Sequence, residues 1–141
     1  MKGGVIRPGT PDDLAAVAAI PLDAPSSWKP EEFLAHTLLV DEDAGQVIAF
    51  AAARQVAPGE WELLEIAVAA GSRRLGHGER LLGALLGDYP GDWYLEVRSS
   101  NLTAQALYQK LGFRAIGRRP HYYQNHARGN SEEGIVFHRQ S

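Results

Sequence analysis

Arg73, Arg74, Leu75, Gly76, His77 and Gly78 stand between a β-prone run that ends at Val68 and a leucine-striped segment that reads as a helix. A helix N-terminus offers unsatisfied N–H groups and a partial positive charge, so anions bind there. Glycines let the backbone close on phosphate oxygens, and two arginines add charge. The plain alternative is a loose turn with solvated arginines. No Gly-Lys-Ser/Thr follows, so this is not a nucleoside-triphosphate loop, and Leu81 fills the place of the third glycine of a dinucleotide fingerprint. Two further side chains could move protons. Glu96 shares one face of a strand with Tyr94 and Arg98, while Trp93, Leu95 and Val97 share the other. On an interior strand that carboxylate is costly unless used or paired; on a half-exposed strand it merely faces water. Tyr108 lies in an apolar helical stripe, where it can pack or donate a proton.

The elements that must position these groups follow from periodicity and punctuation. Val5–Arg7 is a short β-prone start closed by Pro8-Gly9, and Thr10 with Pro11 reads as the cap of a helix carrying Leu14, Val17 and Ala18. A second short helix spans Pro30–His36. Strands are expected at Thr37–Val40, Gln46–Val56 and Trp61–Val68, the first two joined by a turn at Asp43-Ala44-Gly45. Leu81, Leu82, Leu85, Leu86 and Tyr89 form the next helical stripe, ended by Pro90-Gly91. Trp93–Arg98 is a strand. Asn101 caps a helix striped by Ala104, Leu107, Tyr108 and Leu111, and Gly112 suits its C-terminus. A strand from Phe113 to about Tyr122, a polar loop over Gln124–Ser131 and a last strand over Gly134–His138 complete the chain. The order is βααβββαβαββ. It holds one βαβ unit, with the rest of the sheet antiparallel.

The pattern Arg73-x-x-Gly76-x-Gly78 after a strand resembles the pyrophosphate loop of the GCN5-related N-acetyltransferases (GNAT). Leu64–Val68 is similar to that family's fourth strand. Leu95-Glu96-Val97-Arg98-Ser99-Ser100-Asn101 and Ala106-Leu107-Tyr108-Gln109-Lys110-Leu111-Gly112-Phe113 resemble the RimI-type ribosomal-protein alanine N-acetyltransferases within it. Trp28 and the pair Tyr122-Tyr123 fit the same subgroup, so the resemblance runs over roughly residues 5 to 138. It implies an α/β chain (α+β in stricter schemes) with the GNAT fold: one domain over residues 1–141, with about seven strands in a mixed central sheet and about four helices. It implies acetyl-CoA as cosubstrate; His36, His121, His126 and His138 show no metal-ligand spacing, so no metal is expected.

Acetyl transfer from a thioester to an amine needs a neutral amine, donors for the oxyanion and a proton for the leaving thiolate. By resemblance Glu96 is the base and Tyr108 the proton donor to coenzyme A. A phenol of ordinary pKa, about 10, suits that task. Ile66 and Val68 would meet the pantetheine through their backbone. Arg73, Arg74, Leu75, Gly76, His77 and Gly78 would hold the pyrophosphate. His77 stands where an aliphatic residue is common, but the loop uses its backbone N–H. Asn101 is a helix cap, a cofactor contact or both. Trp28, Tyr122 and Tyr123 would line the acceptor site, with edge-strand packing the plain alternative for the two tyrosines, and Glu65 is a rival base or merely a strand carboxylate.

An α-amine has a pKa of about 7.7–8.0 and a lysine side chain about 10.4, a gap of roughly 3.5 kcal/mol in deprotonation. A single carboxylate is better matched to the former. The subgroup resemblance points the same way, to a protein N-terminus such as the N-terminal Ala of a ribosomal protein. The alternatives are a small-molecule amine or lysine as acceptor, or a non-catalytic acyl-CoA-binding module. Composition narrows the rest. With 141 residues, 45% of them hydrophobic, the chain can bury one core. The absence of cysteine removes disulfides and any acetyl-cysteine intermediate. A net charge of -3 does not point to nucleic acid. Met1–Arg7 lacks a signal peptide's apolar run, and Leu14–Ile20 and Val47–Ala53 are too short to span a bilayer, so a cytoplasmic protein without a membrane partner is expected.

Overall fold

A computed structural model of the protein describes residues 4–22, 26–73, 75–125 and 130–140, with the side chains of 121–131 outside that description. The chain runs β1 (Val5–Pro8), a tight turn of 3-10 helix into α1 (Leu14–Ala19), α2 (Pro30–Phe33), β2 (Thr37–Asp43), β3 (Gln46–Ala57), β4 (Glu60–Val68), α3 (His77–Asp88), β5 (Asp92–Arg98), α4 (Leu102–Lys110), β6 (Arg114–Asn125) and β7 (Asn130–Gln140). This is the expected order, and the seven strands form one mixed sheet flanked by four helices. Their spatial order is β1-β2-β3-β4-β5-β7-β6. Among the described residues only β4 and β5 pair in parallel, joined by the α3 crossover.

The sheet is covered on both faces. Leu81, Leu82, Leu85 and Leu86 of α3 pack with Ala49, Ala51 and Ala53 of β3 and with Trp93, Leu95, Val97, Tyr108, Phe113 and Phe137. On the other face Val17, Ile20 and Phe33 of the first two helices and the segments that follow them meet Leu38, Val40, Phe50 and Ala52. A strand as rich in alanine as β3 lets helices approach closely from both sides. Each fully buried leucine of α3 contributes about 1.5–3 kcal/mol of transfer free energy.

Two expectations need correction. The segment Pro30–His36 is helical only to Phe33; Ala35 and His36 bond back to Glu32 and Phe33, which tightens the chain into a three-residue turn. The expected loop Gln124–Ser131 is ladder at both described ends: Gln124 pairs with Ser131 and Asn125 with Asn130, while residues 126–129 lie outside the described residues. Cross-strand pairing there overrides the low strand propensity of polar residues. At the C-terminus of α4, Gly112 takes φ +94°, as its position after the apolar stripe predicts, and turns the chain so that Phe113 is buried.

The feature that matters for function lies between β4 and β5. Their register runs Glu60 to Asp92, Trp61 to Trp93 and Glu62 to Tyr94, and stops. Just beyond, Leu64 is an extra residue in β4, since Ala53 pairs with Leu63 but Ala52 with Glu65. A bulge bends its strand and disrupts the ladder. The carboxyl-terminal halves of β4 and β5 therefore part, and Ile66 and Val68 keep one backbone edge unpaired by β5. Open α/β sheets bind ligands at this kind of crevice, outside the carboxyl ends of parallel strands.

Candidate active site

The glycine loop closes one side of that crevice. After Val68 the chain makes a 3-10 turn over Ala70–Ser72, and the guanidinium Nε of Arg73 donates to the Val68 carbonyl at 3.1 Å. Gly76 takes φ +84°, a conformation other residues rarely adopt, and α3 starts at His77. The first backbone bond of the helix joins the Arg80 N–H to the Gly76 carbonyl, so the preceding N–H groups have no acceptor inside the helix. A Cβ on Gly78 would lie 3.7–3.9 Å from Leu107 Cδ2, Ile66 Cδ1 and Val68 Cγ2. The loop, the end of β4 and the face of α4 thus meet at Gly78. Leu75 is exposed, and Arg74 lies outside the described residues.

On the same face α4 presents Tyr108, buried against the rings of Phe113 and Phe137 at 6.0 and 6.2 Å between centroids. Asn101 caps this helix, its Oδ1 accepting from the Ala104 N–H at 3.0 Å. A partner that no local pattern announced holds the β5–α4 turn: Glu132 of β7 accepts from the Ser100 N–H at 2.7 Å and the Ser99 hydroxyl at 3.2 Å. Those bonds hold the Glu132 carboxyl below its ordinary pKa.

Glu96 lies across the sheet from Tyr108, on the face that Tyr94 and Arg98 share. Its Oε1 accepts from Arg119 Nη1 of β6 at 2.6 Å, and its Oε2 is buried with no hydrogen-bond partner among the described residues. Burial raises the Glu96 pKa, the Arg119 charge and hydrogen bond pull it back, and nearby Glu62 raises it further. The carboxylate is therefore paired, one of the two ways in which an interior strand can carry it. Glu65, past the bulge and opposite Ala52, lies on this face too.

A chain of contacts extends the site. Glu62 accepts from Arg54 Nε at 2.9 Å, and the Arg54 guanidinium stands 5.3 Å from the Trp28 ring centroid. Trp28 also meets His36 edge-on at 5.7 Å. Tyr122 and Tyr123 belong to β6, but their side chains are outside the description. Arg119, Arg54 and Glu62 were not foreseen, because nothing local marks a surface arginine as the partner of a carboxylate 23 residues away. The ring of His77 was likewise not foreseen as a contact: it is buried, with Nδ1 2.8 Å from Asp41 Oδ2.

The sequence matches the acetyltransferase (GNAT) family over residues 12–113. It is 44% identical over 68 residues to the N-alpha-acetyltransferase RimI of Mycobacterium tuberculosis, covering 47% of this chain and 42% of that protein. The curated relatives are matched over only 19% and 42% of their own lengths. The fold superposes on the ribosomal-protein-S18-alanine N-acetyltransferase from Escherichia coli with TM-score 0.84 and 28% identity, over 96% of this chain and 92% of that one. It superposes on Ard1 from Thermoplasma volcanium with TM-score 0.85 and 26% identity, over 97% of each chain.

Proposed function

We propose that this chain, which belongs to the acetyltransferase (GNAT) family, moves an acetyl group from acetyl-CoA to the α-amine of a protein N-terminus. The observation that carries the reading is the parting of β4 and β5. An anion-binding helix start and Tyr108 stand on one face of the crevice, and a carboxylate of raised pKa stands on the other.

The residues present fit the donor. The N–H groups at the start of α3, with Arg73, suit a diphosphate, and Gly76 and Gly78 put no side chain in its way. The free edge of β4 at Ile66 and Val68 suits an amide-bearing arm that lies along it as a further strand would, and a β4 N–H there polarises the thioester carbonyl. On the opposite face Glu96 accepts the proton of the acceptor's ammonium. The amine nitrogen then bonds to the thioester carbon, the carbon–sulfur bond breaks, the Tyr108 phenol supplies the thiolate's proton, and the second proton shed by the nitrogen returns to the tyrosinate through solvent. Acid and base together contribute about 10²–10⁴-fold each. With no cysteine in the chain, attack on the thioester is direct.

A single carboxylate base suits an α-amine better than a lysine, because the α-amine needs less help to lose its proton. The likeness to an S18-alanine enzyme supports an N-terminal Ala of a ribosomal protein as acceptor, and hence a cytoplasmic place of action. Trp28, Tyr122 and Tyr123 are the residues we assign to the acceptor peptide, and Asn101 to the cofactor side.

One peptide tests this. It begins with Ala, carries an internal Lys and is incubated with acetyl-CoA and the protein, and mass spectrometry locates the acetyl group. We expect it on the α-amine, and expect Glu96→Gln to lower the rate at least a hundredfold, to about 10⁻² of the wild-type value. Acetylation of Lys alone would move the reading to a lysine acetyltransferase. If Glu96→Gln left the rate intact, the base would lie elsewhere, with Glu65 the next to substitute.

A further inference from the structure

The first turn of α3 is tied to the sheet by a group of charges that the proposed chemistry does not use. Asp41 of β2 is wholly buried, and its Oδ2 receives both His77 Nδ1 at 2.8 Å and Arg80 Nη1 at 3.2 Å. A carboxylate only accepts, so the imidazole donates through Nδ1. Arg80 also donates to the Gly4 carbonyl at 3.1 Å, which brings the segment before β1 into the same network. His77 and Arg80 lie three residues apart and so share one face of the helix. The later core positions of α3 (Leu81, Leu82, Leu85 and Leu86) are all apolar. The polar anchor is thus confined to the turn that carries the anion-binding N–H groups.

We propose that Asp41, His77 and Arg80 are positioning residues for the donor: the shared carboxylate fixes the rotation and height of the α3 N-terminus so that its N–H groups converge on the diphosphate. This rests on the reading of the loop as a coenzyme A site. Stability alone gives no reason for the network, because replacing a buried ion pair by apolar residues of similar volume is commonly neutral or stabilising. Apolar packing, however, resists sliding and rotation less than a hydrogen-bonded pair of fixed geometry. An N-terminal turn that rocks by an ångström loses the convergence of its amides while the helix stays folded.

The experiment compares wild type with Asp41→Asn and with the double variant Asp41→Leu, His77→Leu. It measures calorimetric binding of coenzyme A and amide exchange along α3 in the free protein. The expected result for both variants is a dissociation constant for coenzyme A raised about tenfold. Faster exchange should be confined to residues 76–80, with 81–88 and the melting temperature of the double variant held. Unchanged affinity in the double variant would overturn the proposal. So would loss of protection along the whole helix, or loss of the folded state in both variants, because each marks a purely structural network. Wild type that binds no coenzyme A would instead refute the loop's assignment, a failure seen before any variant is compared.

Discussion

At the scale of single residues, the pairing of Glu96 with Arg119 decides when the proposed base is available. Burial raises the carboxyl's pKa and Arg119 lowers it, so the two effects compete, and one carboxyl oxygen is buried with no hydrogen-bond partner among the described residues. The acidic limb of kcat/KM should therefore lie above the ordinary carboxylate range. Arg119→Ala should move it higher still, because the lowering influence goes and the burial stays. Initial rates across pH check this, and a limb that stays in place would remove Arg119 from the account. Glu96 was legible in the sequence because strand alternation puts it on a polar face in an otherwise apolar, interior strand. Arg119 was not legible, since its partner is set by the β5–β7–β6 order rather than by any local spacing. Tyr108 shows the converse: its packing against Phe113 and Phe137 satisfies the stripe that the sequence displays, so the pattern alone could not separate a core ring from a proton donor.

At the scale of elements, the start of α1 shows how a cap becomes a tertiary lock. Asp13 bonds to the Thr10 N–H at 2.8 Å, and the Arg7 guanidinium forks onto both its oxygens at 2.8 and 2.9 Å, tying β1 to the helix. The carboxyl is lowered to about 2, first by the Arg7 hydrogen bond. A lowered folded-state pKa means stability that is present above the unfolded value and lost as pH falls through the folded one. Asp13→Asn should thus cost about 2 kcal/mol at pH 7, a cost that shrinks to a few tenths of a kcal/mol by about pH 2. Urea midpoints of both proteins at the two pH values measure it; an equal difference at both would assign the cost to packing. The helix boundary itself was readable from Thr10-Pro11, whereas Arg7 as the clamp depends on β1 lying beside β2 at the sheet edge.

At the scale of the whole molecule, the crevice between β4 and β5 joins two cores, one under α3 and α4 and the other under α1 and α2. A ligand lying in it bridges both halves of the sheet and binds only the folded state. Coenzyme A at a hundred times its dissociation constant should add about 2.7 kcal/mol of stability and raise the melting temperature by roughly 5–10 °C. Thermal unfolding with and without the ligand reads this directly. No shift at millimolar coenzyme A would contradict the donor site.

The amino-acid sequence by itself determined the kinds and order of the elements, the glycine loop before α3, the caps at Thr10 and Asn101 and the polar face that bears Glu96. These depend on period, capping chemistry and the conformational freedom of glycine, all set within a few residues of chain. Tertiary structure alone decided where β4 leaves β5, which follows from a bulge at Leu64 that alternation does not reveal. It also decided that the polar residues Gln124, Asn125, Asn130 and Ser131 pair as ladder, and that His77 and Arg80 meet over the Asp41 carboxylate under the loop. Those outcomes depend on which strands become neighbours. Pairing across dozens of residues is governed by packing summed over the whole chain, which no local window contains.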